Sequence, residues 1–229
     1  MRTLTNRMKR AVTILIPASL LAWGGLVLYG QYETPAAPPT VPTGIISGQA
    51  VGRVILDSNL NTEVLMYYPS IAGVGSNLFN GTPSAKTAFF SARSNKFKGT
   101  ALVNLNVGVL ALSPDSDQIV MNVYFNPNPD RDFAKPDTFS DGQLVGSYPV
   151  STGSTTLVDG VSASFVYSAQ IESSNDFVFR DKTYNGRTIL PGFSVFLHGA
   201  APTFSISLSN GSGFVIPMAG VMIASDPKQ

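Results

Sequence analysis

Residues 161–172, VSASFVYSAQIE, alternate almost without a break. Val161, Ala163, Phe165, Tyr167, Ala169 and Ile171 fall on one face, and Ser162, Ser164, Ser168, Gln170 and Glu172 on the other, with Val166 the exception. A period of two places one face in a core and the other in solvent, which describes a half-buried strand. TFSISLS (203–209) repeats the pattern, with Phe204, Ile206 and Leu208 against Thr203, Ser205, Ser207 and Ser209. ALVNLNVGVLALS (101–113) and QIVMNVYF (118–125) read as two further strands, and the four residues between them, PDSD, have hairpin length.

Turn chemistry between these runs agrees. Asp159-Gly160 separates TTLV from VSASFV as a two-residue hairpin loop whose central residues need positive φ. Asn185-Gly186 and Asn210-Gly211 separate apolar runs in the same way, while Asn80-Gly81 and Asp141-Gly142 mark further turns. NGT at Asn80 and NGS at Asn210 match the glycosylation acceptor pattern, but Asn-Gly in a strand-rich chain is first a turn. No window beyond residue 43 carries a sustained 3.6-residue apolar stripe. The expectation is an all-β domain over 44–229 with ten to twelve antiparallel strands. Its architecture is a β-sandwich of jelly-roll type or a closed barrel. Pro191 and Pro217 lie inside apolar runs and should mark edges or bulges, because proline donates nothing to a ladder.

The N-terminus reads differently. Arg2, Arg7, Lys9 and Arg10 form a basic start over residues 1–10, followed by twenty uncharged residues, AVTILIPASLLAWGGLVLYG (11–30). As a helix, that run spans about 30 Å, the hydrocarbon thickness of a bilayer. The flanking positive charges precede it and the next is Arg53, so the expected orientation keeps the N-terminus cytoplasmic and exports the rest. An uncleaved anchor and a cleaved signal both fit. Residues 31–43, QYETPAAPPTVPT, hold Pro35, Pro38, Pro39 and Pro42 and read as a semi-rigid spacer. The expected location is therefore extracytoplasmic, in the periplasm or at the cell surface. The domain would be membrane-tethered through residues 11–30, or secreted if that segment is removed. The absence of cysteine fits a bacterial envelope protein better than a eukaryotic extracellular domain.

Composition narrows the function. At 44% hydrophobic, 13% charged and net +1, the chain is neither disordered nor basic enough to bind nucleic acid by charge. No phosphate-cradling glycine motif occurs, and GVGSNL breaks the G-x-G-x-x-G pattern at Leu78, so no nucleotide partner is expected. The sole histidine, His198, follows a strand-like run without a G-x-S-x-G elbow, and reads as a strand-end residue rather than a catalytic base. A glycosidase needs two facing acids. Beyond residue 43 the only glutamates are Glu63 and Glu172, the latter on the polar face of its strand.

NPNPDRDFAKPD (126–137) holds the one candidate metal site. Asn126, Asn128, Asp130, Asp132 and Asp137 occupy positions 1, 3, 5, 7 and 12 of a calcium-loop order of oxygen donors. Arg131 stands where an EF-hand requires glycine, and Pro127, Pro129 and Pro136 deny flanking helices, so an EF-hand is excluded. What remains is a calcium site on a β-domain loop, helped by Asp115, Asp117 or Asp141, or a turn-rich connection whose side chains bond nearby backbone. SARSNKFKG (91–99), with Arg93, Lys96 and Lys98 around a Ser-Asn turn, reads as a solvated loop or a contact for anionic lipid or glycan.

The functional expectation is a non-enzymatic binding or assembly role, with an envelope protein or a glycan as partner. A secreted carbohydrate-binding or carbohydrate-active module is the alternative, with Phe133 and Phe139 as loop aromatics. A self-associating surface subunit is a further one.

Overall fold

The computed structural model describes residues 44–57, 59, 61–104, 109–114, 119–158, 161–200 and 213–225. The expected N-terminal helix, the Pro-rich spacer and the 203–209 strand with its Asn210-Gly211 turn lie outside these residues. Among the described residues, no helix is long and apolar enough to cross a membrane.

The strands are β1 (Ile46–Leu56), β2 (Asn61–Ile71), β3 (Phe90–Ser94), β4 (Phe97–Asn104), β5 (Val109–Pro114), β6 (Val120–Phe125) and β7 (Gln143–Val158). They continue with β8 (Ser162–Gln170), β9 (Ser173–Ser174), β10 (Asp176–Phe179), β11 (Lys182–Asn185), β12 (Gly192–Gly199) and β13 (Phe214–Ala224). One helical turn, α1, covers Gly186–Ile189. Following the pairings, β1-β13-β12-β8-β7-β6-β3-β2 returns to β1, an antiparallel eight-stranded closed barrel. The barrel, not the sandwich, is therefore the architecture. Closure suits a chain with many short strands because it removes the free edges of an open sheet.

Two long strands let the wall change partners along its length. β7 pairs through Gln143–Pro149 with β6 and through Thr155–Val158 with β5. β2 pairs through Leu65–Tyr67 with β3 and through Asn61 and Thr62 with β4. The β4–β5 hairpin thus replaces β3 and β6 at one end. Register shifts at Gln49/Val51, Val123/Tyr124 and Val150/Thr152 mark bulges, which bend strands enough to close a barrel.

VSASFVYSAQIE forms the strand expected of it. Ala163, Phe165, Tyr167, Ala169 and Ile171 are buried, while Val161 is exposed because it belongs to the connection, not to the strand. Val158 pairs with Ser162, so three residues link β7 and β8 rather than two.

Three other expectations need correction. The single strand at 101–113 is two, β4 and β5, with Asn104 paired to Val109. Alternation alone does not register this reversal, because it records which face a residue takes and not the direction of the chain. β5 consequently pairs with β4 and β7, so PDSD does not join hairpin partners. Asn185-Gly186 starts a helical turn instead of a hairpin: the Asn185 Oδ1 accepts the Arg187 N–H at 2.9 Å as an N-cap. Pro191 lies just before β12, and Pro217 lies within β13 opposite Arg53. There Pro217 is spared a lost bond because β12–β13 pairing ends at His198–Ala219.

The interior is packed. Voids lined by described residues measure about 20 and 30 Å³, room for a water molecule and no ligand. β10 and β11 form a separate hairpin that closes one end with its aromatic rings. Phe177 and Phe179 pack on the barrel's Phe90 and Phe125 at centroid distances of 5.5–5.8 Å. A Cβ on Gly220 would collide with the Phe196 carbonyl oxygen, so β13 approaches β12 there as only glycine permits.

Candidate functional site

The acidic stretch folds as a flap (126–142) against the outside of the barrel. One cross-strand row supports it. Arg53 on β1 pairs with Leu65 on β2, which pairs with Arg93 on β3, so all three point outward on the same face. Leu65 is fully buried although it lies outside the barrel core, as is Phe139 of the flap. The Ser91 hydroxyl donates to the Phe139 carbonyl at 2.9 Å. Arg93 Nη1 donates to Asp137 at 2.7 Å and to the Ser140 hydroxyl at 3.0 Å, while its Nε donates to Glu63 at 2.6 Å. Burial works against the Arg93 charge, but the two carboxylates outweigh it and hold its pKa above the ordinary value. Arg93 is therefore committed within the protein and offers little to a lipid or glycan.

The five proposed metal ligands go to different partners. Asn126 Nδ2 donates to Asp141 Oδ1 at 3.1 Å and to its carbonyl at 3.2 Å, while Asn126 Oδ1 accepts the Asn128 N–H at 2.8 Å. Asn128 is exposed. Asp132 Oδ1 accepts the Ala134 N–H at 2.9 Å, a turn contact of the kind such residues make. Asp137 is taken by Arg93. Asp130 lies beside Asp141, whose carboxyl is raised by burial and by the hydrogen bond to Asp130. Among the described residues, no group of three or more His, Cys, Asp or Glu is arranged to hold a metal ion. Asp115 and Asp117 lie outside the described residues.

Arg131, the residue at the glycine position of the calcium-loop count, is fully buried. Its Nη2 donates to the Phe89 carbonyl at 3.2 Å, and its Nε and Nη1 have no partner among the described residues. Burial lowers its pKa, opposed by Asp141 and Asp130. The side chain is thus buried against the Phe89 carbonyl, beside Asp130 and Asp141.

What the flap does create is a groove. Its Phe133 stands beside Arg53 and Tyr67, and the concavity continues over Gly52, Pro217, Met218 and His198, with a volume of about 530 Å³. That lies within the range of small-molecule sites. The Arg53 guanidinium lies 4.3 Å from the Phe133 ring centroid, a cation–π contact, and Phe133 also packs on Phe139 at 4.7 Å. Tyr67 meets Phe133 at 6.4 Å and Phe79 at 6.2 Å, and burial raises the pKa of its hydroxyl. His198 Nδ1 lies 3.2 Å from the Ser164 hydroxyl on the exposed face of β8 and β12. Among the described residues no carboxylate contacts the ring, so the pair lacks the orienting acid of a hydrolase triad. Sequence reasoning named Phe133 as a loop aromatic, read His198 as a strand-end residue, and missed Arg53 and Tyr67. Only the strand register brings those two together.

No family model, no curated protein and no solved structure matches this chain.

Proposed function

We propose that this chain is a non-enzymatic binding module of the cell envelope. Its packed β-barrel is carried beyond a membrane by residues 11–30 and presents a ligand or partner to the outer groove. The observation that carries this reading is the groove itself. It is the place where a cationic side chain, a tyrosine hydroxyl and the lone histidine converge outside a barrel whose described interior has no room for a ligand. A rigid barrel with binding groups on an attached loop is a usual division of labour between scaffold and site. The basic start followed by an uncharged twenty-residue run supports the export half of the reading.

Protease shaving of intact bacterial cells and of spheroplasts, with the full chain expressed from its own N-terminus, tests export. The barrel should be cut or released from outside the inner membrane. Protection in spheroplasts together with full recovery in the cytosol would overturn that half. A photo-crosslinking residue placed at Ala85, on the groove rim, should yield one discrete adduct in cells. The same residue at Val178, exposed on the β10–β11 hairpin, should not. Equal labelling from both positions would overturn the groove as the binding face.

A further inference from the structure

Among the described residues that line the groove, Arg53 is the one that carries a fixed charge, and none is acidic. The ion pairs among the described residues are both made by Arg93, and Arg53 makes no hydrogen bond to a described residue. Its position has physical consequences. A guanidinium held over an aromatic ring has one face desolvated and its side-chain freedom reduced, while its in-plane N–H groups stay available. Those N–H groups form a fork matched to two acceptor oxygens on one planar group, so they suit a carboxylate better than an ammonium would. The register keeps the arginine there. Arg53 is paired to Leu65 on one side and Pro217 on the other, so neither neighbour offers it a side-chain acceptor.

The rest of the groove sets what else the ligand must carry. The Tyr67 hydroxyl has no hydrogen-bond partner among the described residues, and His198 presents its ring from β12. Between them the outward-facing Val51, Pro217 and Ala219 make an apolar floor. Hydroxyl-sized polar groups around an apolar floor, with one bidentate cation, match a sugar ring bearing a carboxylate. Both faces of the polar-and-apolar ring then find complements, and the single charge is neutralised.

Resting on the reading that the groove is the binding face, we infer that it takes an acidic glycan, with a uronate carboxylate on Arg53. The Phe133 face is already covered by the guanidinium, so recognition comes from the arginine fork and not from stacking of the sugar on that ring.

The test is titration of the full 229-residue chain, in mild detergent, with uronic-acid oligosaccharides. Neutral glucan oligosaccharides, inorganic phosphate and a peptide with a free C-terminal carboxylate serve as comparison probes. Uronate oligomers should bind in saturable fashion, with affinity falling as salt rises. Arg53→Met, which keeps an aliphatic stem over Phe133, should weaken binding at least tenfold without lowering the melting midpoint. Arg53→Lys keeps the charge but not the fork and should fall between the two. It also serves if the methionine variant folds poorly. Asp137→Ala, outside the groove, should bind like the parent. Equal binding of neutral and acidic oligosaccharides, or full binding by Arg53→Met, overturns the carboxylate assignment while leaving the groove as a binding face. Binding of phosphate or the peptide alone overturns the glycan. No binding of any probe, alongside a groove-specific adduct in the crosslinking experiment, rejects this ligand class and retains the broader reading.

Discussion

Replacing Arg93 separates the two halves of the link that holds the flap down. One half is enclosed: Glu63 retains 9% of its side-chain exposure and Arg93 retains 21%, with the Nε–Oε1 distance at 2.6 Å. The other half is open, since the Asp137 side chain is 96% exposed. Removing Arg93 leaves the Glu63 carboxylate buried without its cation, a loss of about 3–5 kcal/mol in comparable pairs. For a domain of this size each kcal/mol moves the midpoint by about 2–4 °C, so Arg93→Ala should lower it by roughly 6–20 °C. Asp137→Ala should move it little, because an exposed ion pair is screened by water and salt. The double variant Arg93→Met with Glu63→Leu should recover most of the loss, since no buried charge is then left alone. Thermal melts followed by circular dichroism read all three. If Asp137→Ala costs as much as Arg93→Ala, the stabilisation resides in the open half and the burial argument fails. If the double variant is no better than Arg93→Ala, the cost was lost packing and not a stranded carboxylate.

Phe139 is fully buried beneath the flap, so Phe139→Ala should destabilise by about 3–5 kcal/mol in urea titration and expose residues 126–142 to protease. Arg180 and Asp181 both have positive φ, 51° and 63°, at the turn between β10 and β11. Asp181→Gly should therefore stabilise by about 1 kcal/mol, visible as a raised urea midpoint. Asp141 holds its proton more tightly in the folded state than its ordinary value of 3.8 implies, chiefly through burial and the bond to Asp130. The folded chain then binds more protons than the unfolded chain above that value, so stability declines as pH rises through the window from 3.8 to the raised folded value. Asp141→Asn should flatten that decline in urea midpoints measured from pH 4 upward. Exchange of chelator for millimolar calcium should leave the melting midpoint unchanged, given the diverging partners of Asp130, Asp132 and Asp137. A rise of about 5–10 °C that Asp130→Asn with Asp132→Asn abolishes would instead place a metal in the loop.

The strands were legible where a residue's environment repeats every second position, as from Ala163 to Ile171, because the barrel has one inner and one outer face. Legibility failed where a short-range rule met a longer-range one. Alternation ran through Asn104 and Val109 without a break, yet the chain reverses between them, because alternation records the face and not the direction. The Arg180-Asp181 turn carried neither glycine nor asparagine. Its strained backbone is accompanied by the Arg180 bond to the Asn77 carbonyl at 2.7 Å, a partner more than a hundred residues away in the chain.

The same distinction explains the acidic stretch. Oxygen donors at every second position satisfy the composition of a calcium loop, but coordination requires their side chains to converge on one point. Convergence is decided by what else competes for each oxygen. Here the backbone of Ala134 takes Asp132, Arg93 takes Asp137, and Arg131 is buried on the Phe89 carbonyl. Arg93 and Arg53 are brought to the flap through Leu65 by the β1–β2–β3 register, which no local pattern encodes. The residues that interrupt the calcium pattern, Arg131 and Phe133, are then the ones with a structural task. Arg131 packs onto the Phe89 carbonyl, and Phe133 carries the Arg53 guanidinium at the wall of the groove. A departure from the motif in this chain therefore marks where the loop meets the barrel wall beneath it.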